Sequence, residues 1–318
     1  MDAATFEFNT IAEALFFNRS GYSAQGTLMR ICAVQPGLAT HSNLLALVQA
    51  PAPKFDLQMG TSPELKKSKH FKLLRRPRSR ALQRLNNLVF MNNLLAEALR
   101  HSEEEEERGT RETITFSAPS KSGASLSTRT RQDVISMLRH ARNRGLYEQA
   151  LLTAVALTEE FLVTYVRIIL RSYPQKLTAN VAGASSDKNI DLESVLAAST
   201  LADLHDHLIE RHLANLFYKA PRDYLLHIER ILGITIVDAT KQQYIEIKAS
   251  RDLIIHNASI INRAYCAKAG AQARGNHGDQ LSIDQQYFND AIIAMKTLIT
   301  GVYSQVLATF GNADLKNT

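Results

Sequence analysis

Residues 241–266 read KQQYIEIKASRDLIIHNASIINRAYC, and this stretch decides how the chain is interpreted. Apolar and aromatic side chains recur at intervals of three and four residues from Tyr244 to Tyr265, the spacing of one buried or partner-facing face of an α-helix. Arg251 falls on that face, where a charge is costly unless another group pairs with it. His256 follows, and histidine is the side chain best suited to acid–base chemistry near neutral pH. The stretch therefore predicts a helix that carries either a structural ion pair or a functional site.

The spacing of these polar residues leaves two interpretations open. Arg251 and His256 lie roughly 140° apart on a regular helix, so a site that uses both lies beside the helix or is completed by another chain. Asp252 and His256 share a face, and Asp252 could hold the imidazole in one tautomer or stabilise its charged form. The alternative is a surface Asp–His pair beside a packed arginine, because an R-x4-H pattern is common by chance.

Composition places the chain among globular proteins. It has 318 residues, of which 45% are hydrophobic and 21% charged, enough for a sizeable core. The net charge of +6 favours contact with a polyanion. We expect no membrane span, since no run of eighteen apolar residues occurs, and no secretory signal, since the first residues are acidic. Cys32 and Cys266 have no metal-binding or redox spacing, which indicates a reducing cytoplasm.

The pattern of apolar residues predicts a mainly α fold. Strand signals are nearly absent from the C-terminal part, where we expect a bundle of five to seven helices. The expected helices are 86–100, 128–144 with Gly145 as its stop, 146–172 closed by Pro174, one or two within 192–216, 221–232 stopped by Gly233, 241–266, and one capped by Ser282-Ile283-Asp284 that runs to about Ala308.

Charge and turn residues predict the domain organisation. The acidic run Glu103–Glu107 and the polar stretch 117–123 are typical of a solvated linker. We therefore expect an N-terminal region of unknown role and partly helical character at 1–110, a linker at 111–125, a helical domain at 126–312 and a tail at 313–318. Within the N-terminal region, helix-start patterns occur at Thr10 and Ser62.

The motif region resembles a known family. Arg251 to Asn257, followed by the apolar stretch Ile260 to Tyr265, resembles the motif helix of the HEPN superfamily, whose R-x(4–6)-H motif precedes such a stretch. The likeness covers about residues 126–312. Residues 146–174 resemble the family's apolar helix ending in proline, 192–233 the middle of RNA-cleaving and abortive-infection-type HEPN domains, and 284–307 the closing helix.

This resemblance implies metal-independent RNA cleavage, without a cofactor, in a helical homodimer whose arginines and histidines line one cleft. Arg251 would bind the scissile phosphate and stabilise its developing charge. His256 would act as general base or acid around the ribose 2′-hydroxyl, giving a cyclic phosphate and a 5′-hydroxyl. Asp252 would support the site. Asn257 would either position the phosphate or bond the backbone.

The family also implies a biological role. A cytoplasmic toxin or phage-defence effector would act on RNA together with an antitoxin or a defence-system partner protein. A catalytically silent HEPN module that binds nucleic acid or scaffolds an assembly is the alternative. A helical regulatory protein unrelated to the family is a third.

Three further groups of polar side chains need an interpretation. Glu159 and Glu160 interrupt an apolar segment, so one could pair with Arg251, or both could face solvent. The set His205, His207 and His212 lacks accompanying carboxylates or cysteines, so we expect surface histidines rather than a metal site.

The third group is basic, and no acid interrupts it. Such a cluster can neutralise phosphates and give salt-dependent binding of RNA or DNA. The alternative is a solvated helix face balanced by Glu103–Glu107. Its members are Lys66, Lys67, Lys69, Lys72, Arg75, Arg76, Arg78, Arg80 and Arg84.

Overall fold

The computed structural model describes residues 70–121, 123–178, 195, 198–217 and 219–313. The helix starts expected at Thr10 and Ser62 lie outside these residues, as do Lys66, Lys67 and Lys69 of the basic cluster. The loop expected around residues 180–189 also lies outside them.

The chain is mainly α, as predicted from its sequence. The described helices are α1 (Phe71–Arg108), α2 (Arg131–His140), α3 (Leu146–Ser172), α4 (Leu201–Phe217), α5 (Pro221–Leu232), α6 (Asp238–His256), α7 (Arg263–Ala269) and α8 (Gln285–Phe310). Two strands, β1 (Thr113–Ser120) and β2 (Gly123–Thr130), pair antiparallel. Short 3-10 turns, Pro174–Thr178 and Gly270–Gln272, follow α3 and α7.

The division into compact units differs from the expected domains. Among the described residues, 70–110 and 132–313 belong to one compact unit, and 111–131 fall outside it. The expected linker is therefore largely hairpin: the strands pair from Thr113 opposite Thr130 to Ser120 opposite Gly123. β-Branched residues such as threonine favour strands even where the composition is polar, which is why this segment forms a hairpin although its composition suggested a linker.

The acidic run belongs to α1 and not to a linker. Glu103 is buried on the last turns of this helix. Arg139 Nε lies 2.8 Å from its Oε1 atom, and Arg142 Nη2 lies 3.0 Å from Oε2. Arg139 also pairs with Glu107 at 3.0 Å. These arginines, from α2 and the turn after it, pair with two of the five consecutive acids and so reduce the repulsion within this part of α1.

The core is built around α3, which has the predicted bounds. This helix packs against α1, α4, α5, α6 and α8, and Leu162, Tyr165 and Ile169 are fully buried in it. The predicted helix stop at Gly145 is wrong. The π-helical turn Ala141–Gly145 joins α2 to α3, and Gly145 keeps right-handed helical angles.

The ends of α5 and α8 agree with prediction. Gly233 closes α5 with a left-handed φ of 64°, which glycine adopts without steric cost. The Asp284 carboxylate accepts a hydrogen bond from Tyr287 N at 2.8 Å and caps α8. Among the described helices, α8 is long and apolar enough to cross a membrane, but 61% of its apolar window is buried inside the protein, as in a core helix.

The single helix predicted over residues 241–266 is wrong in its second half. Helix α6 ends at His256, and Ala258 and Ser259 then adopt left-handed φ values of 47° and 60°. Asn262 caps α7 by accepting a hydrogen bond from Tyr265 N at 2.8 Å. Because of this break, Ala258 leaves the predicted buried face and is exposed, whereas Tyr265 returns to the core.

Candidate active site

Arg251 and Asp252 lie on the last turns of α6 and contact each other. Arg251 Nη1 donates to Asp252 Oδ1 at 3.2 Å, and Lys268 Nζ on α7 donates to Asp252 Oδ2 at 3.2 Å. The three side chains are about one third exposed. The carboxylate therefore pairs with two cations, whereas the spacing suggested His256 as its partner. Arg251 is half-buried and paired, which removes most of the cost of placing its charge beside the core.

His256 is the last residue of α6, and its side chain is exposed. In the part of the chain that the structure describes, no hydrogen bond or ion pair to its imidazole is formed. Arg251 and His256 do not contact each other within one chain. Both are open to solvent, so a site that uses both must be bridged by a ligand or completed by a second copy.

The turn after His256 is fixed by backbone contacts. Asn257 Nδ2 donates to the carbonyl oxygen of Ile260 at 2.5 Å, which favours the backbone-bonding alternative for this residue. Ser259 N donates to Leu253 O at 3.0 Å, and its hydroxyl donates to Glu148 at 2.9 Å. This tight turn sets where the imidazole of His256 leaves the helix.

A buried ion pair lies one turn before the motif. Lys248 on α6 pairs with Glu159 on α3, and their side chains are only 9% and 21% exposed. Lys248 Nζ also lies 5.1 Å from the ring centre of Tyr224. Glu159 thus faces the motif helix, but its partner is Lys248 rather than Arg251. The alternative in which both Glu159 and Glu160 simply face solvent is wrong for Glu159.

Two buried tyrosines lie close to the ion pair of Lys248 and Glu159. The rings of Tyr224 and Tyr244 are fully buried and meet edge-on, with centroids 6.5 Å apart. Burial raises the pKa of Tyr244, and the negative charge of Glu159 raises it further, while Arg251 acts in the opposite direction. Both phenols therefore stay protonated, and their rings pack as uncharged core residues beside the charged groups.

Three carboxylates of the acidic run pair with arginines outside the basic cluster. Glu160 is exposed and pairs with Arg84. Glu103 and Glu107 pair with arginines that follow the hairpin, and Glu104 pairs with Arg100 and Arg108 within α1 itself. The alternative in which Glu103–Glu107 neutralises the cluster is therefore contradicted for these carboxylates.

The described members of the basic cluster have two orientations. Lys72, Arg75, Arg76, Arg80 and Arg84 are exposed, and Arg75 lies 5.7 Å from the ring centre of Phe71. Arg78 turns inward and stacks over Tyr303 at 5.0 Å. A groove of about 680 Å³ runs between α1 and α3. Lys72, Arg75, Arg76, Arg80 and Arg84 line it from α1, with Glu160, Phe161 and Thr164 on the α3 side.

The histidines of α4 differ in environment. His207 is exposed, and His205 is partly exposed. His212 packs against His227 of α5 with ring centroids 5.3 Å apart, and burial lowers the pKa of both. The expected surface position is therefore wrong for His212. The described residues contain no group of three or more histidines, cysteines and carboxylates placed to hold a metal ion.

Sequence reasoning missed two charged residues near the motif. Lys248 could have been found from the sequence, because it is a charged residue next to the apolar residues Ile245 and Ile247. In the structure, every residue from Tyr244 to Ser250 is buried. Lys268 could not have been found in this way, because its contact with Asp252 depends on the break between α6 and α7. Both residues place additional positive charge beside Arg251.

Comparisons with known proteins give no match to a family model, to a curated protein or to a solved structure. The resemblance to the HEPN superfamily therefore stays a prediction from the sequence.

Proposed function

We propose that the chain is a metal-independent endoribonuclease of the HEPN type that acts as a cytoplasmic toxin or phage-defence effector. The observation that carries this proposal is the placement of Arg251 and His256. Both remain open to solvent at the C-terminal end of α6, where Asp252 pairs with the guanidinium and a tight turn directly follows the histidine. A positioned cation and a free imidazole are the groups that this reaction needs.

The chemistry divides between these two residues. Arg251 binds the scissile phosphate and stabilises the charge that develops on its oxygens, which a planar guanidinium does by bidentate contact. His256 takes the proton from the ribose 2′-hydroxyl, and the 2′-oxygen attacks the phosphorus. The bond to the 5′-oxygen breaks, and an imidazolium returns a proton to that oxygen. The products are a 2′,3′-cyclic phosphate and a 5′-hydroxyl.

A second copy of the chain would supply the second imidazole. Ile255 and Ile260 flank His256, and they are 44% and 43% exposed. Apolar side chains beside a charged site are typical of an interface whose centre excludes water. In the proposed homodimer the two α6 helices face each other, so that the arginines and histidines of both copies line one cleft.

The products and the metal requirement test this proposal. Purified protein is incubated with mixed cellular RNA, with and without EDTA, and the fragment ends are identified by enzymatic end labelling. We expect fragments with cyclic phosphate and 5′-hydroxyl ends at equal rates in both conditions. Cleavage that stops in EDTA, or fragments with 5′-phosphate ends, would contradict the mechanism.

A catalytically silent module that binds nucleic acid or scaffolds an assembly is the second candidate. It is favoured by one observation, which is that Arg251 and His256 make no contact within a single chain. The same reaction separates the two candidates, because a silent module binds the RNA and leaves it intact. An antitoxin or defence partner would be found by co-purification with the native complex.

A further inference from the structure

The exposed cations of α1 form a regular row. Lys72, Arg76, Arg80 and Arg84 recur every four residues, so they share one face of the helix and lie about 6 Å apart along its axis. Within the described residues, the first three form no ion pair. Each pair of like charges at this spacing destabilises the helix by roughly a few tenths of a kcal/mol, and a bound anionic ligand would relieve this repulsion.

The shape of the groove limits what can enter it. The walls are two packed helices, whose axes lie on the order of 8–10 Å apart. A nucleic-acid duplex is wider than such a gap and can touch only its rim. A single strand fits along it with its phosphates on the cationic side. Phe161 on the other wall is almost fully buried, so the groove offers no exposed ring for base stacking.

The groove leads from the row of cations toward the motif helix. Helices α1 and α3 run antiparallel. At one end of the groove the Tyr165 hydroxyl of α3 donates to Leu74 O of α1, and at the other end Glu160 of α3 pairs with Arg84 of α1. The residue next to Glu160 is Glu159, which pairs with Lys248 on α6. The Arg84 end is thus the end closest to the helix that carries the motif.

The ion pair at this end is weak enough to be displaced. The side chains of Arg84 and Glu160 are 43% and 48% exposed. An exposed pair of this kind contributes less than about 1 kcal/mol, so a phosphate can take the place of the Glu160 carboxylate on Arg84.

We propose that the α1–α3 groove binds the phosphate backbone of single-stranded RNA, and that the incoming strand displaces Glu160 from Arg84. The described lining is dominated by cations, so phosphate contacts dominate recognition, which is largely tolerant of sequence and dependent on salt. The choice of RNA as the occupant rests on the proposed function, whereas binding in the groove does not require cleavage.

The test is binding by the full chain carrying His256→Ala, so that cleavage does not consume the probe. A fluorescent 20-nucleotide polyuridine RNA is titrated across a salt series. In this background, Lys72→Gln, Arg76→Gln and Arg80→Gln together should weaken binding at least tenfold and reduce the salt slope by about 2. The matched control removes the same charge elsewhere, by Lys121→Gln, Arg129→Gln and Arg222→Gln, and should change affinity less than twofold.

Glu160→Gln supplies a result that misfolding cannot mimic. Removing the competing carboxylate should strengthen RNA binding two- to fivefold. Equal losses in the groove and control triple variants, or duplex RNA bound as tightly as single-stranded RNA, would overturn the proposal. Tighter binding of single-stranded DNA of the same length would overturn the choice of RNA. Unchanged binding in the groove triple variant would overturn the groove proposal, and it would leave the proposed cleavage chemistry at His256 standing.

Discussion

Arg251 and Asp252 are neighbours in sequence and partners in space, with Nη1 of the arginine 3.2 Å from Oδ1 of the carboxylate. The second carboxylate oxygen of Asp252 lies 3.2 Å from Lys268 Nζ. The carboxylate is therefore occupied by two cations and holds the guanidinium at the edge of the site. The imidazole of His256, one turn further along α6, has no partner among the described residues.

This pairing predicts how Asp252→Asn behaves. The amide oxygen still accepts a hydrogen bond from Arg251 but no longer balances its charge, so we expect cleavage to fall about tenfold or less. The pH–rate profile should keep its shape, because the carboxylate does not contact the imidazole. A shifted profile would show instead that Asp252 acts on His256. The measurement is initial cleavage rates between pH 5.5 and 8.5, with the unsubstituted protein as reference.

The exposed apolar residues beside the motif predict an interface. Ile255→Glu should dissociate the proposed dimer and abolish cleavage together, since a charge cannot be buried between two α6 helices. Val237→Glu is the matched control, because Val237 is 67% exposed beside the opposite end of α6. Sedimentation velocity reports the oligomeric state. A protein that is monomeric and fully active before substitution would contradict the interface.

The left-handed turn after His256 predicts a stabilising substitution. Ala258 is exposed with a φ of 47°, a conformation that costs a side chain with a Cβ atom roughly 1 kcal/mol. Ala258→Gly should therefore raise the free energy of unfolding by about this amount. The control is Ala267→Gly, at an exposed position inside α7, which should lower it by about 1 kcal/mol. Urea unfolding measures both, and a destabilising Ala258→Gly would refute the strained turn.

The buried histidine pair predicts a loss of stability in mild acid. His227 is 6% exposed, and neither ring nitrogen has a hydrogen-bond partner in the described structure. Its pKa is lowered to about 4, mainly by burial and in part by the positive charge of Lys219. The unfolded chain, in which the pKa is about 6.5, binds the proton first. Stability from this group is present above pH 6.5 and is lost as the pH falls toward 4.

The measurement is urea unfolding at pH 7.5 and 5.0. Between these conditions the neutral imidazole accounts for a loss of about 2 kcal/mol. His227→Phe, which cannot titrate, should lose correspondingly less on the same change of pH. The exposed His277 is the matched control, and His277→Phe should keep the full loss. Equal pH dependence in all three proteins would show that His227 does not set it.

Local signals predicted much of the helical fold. The bounds of α3 and α5 followed from apolar periodicity, from Pro174 and from Gly233, because these residues act within a turn or two of their own position. The break between α6 and α7 could not be predicted. Ala258 and Ser259 are not residues that favour left-handed angles, and their turn is held by contacts to Leu253 and Glu148.

The ion-pair partners of charged residues also could not be predicted, because they lie far away in the sequence. The acids at the end of α1 suggested a linker. Arg139 and Arg142, which pair with Glu103, are more than thirty residues further along the chain, so the neighbouring sequence does not indicate this pairing. At the candidate site, the residue types of Arg251 and His256 were informative on their own. The partners of Asp252 and Glu159 came from helices that are distant in sequence.

The rate of RNA cleavage by His256→Ala tests the central claim most directly. It is measured in single-turnover reactions with excess protein, against the unsubstituted chain and against the control His277→Ala. Loss of a general acid–base group predicts a rate lower by a factor on the order of a hundred to ten thousand, with unchanged unfolding and an unchanged rate for His277→Ala. Cleavage at the full rate by His256→Ala would contradict the account.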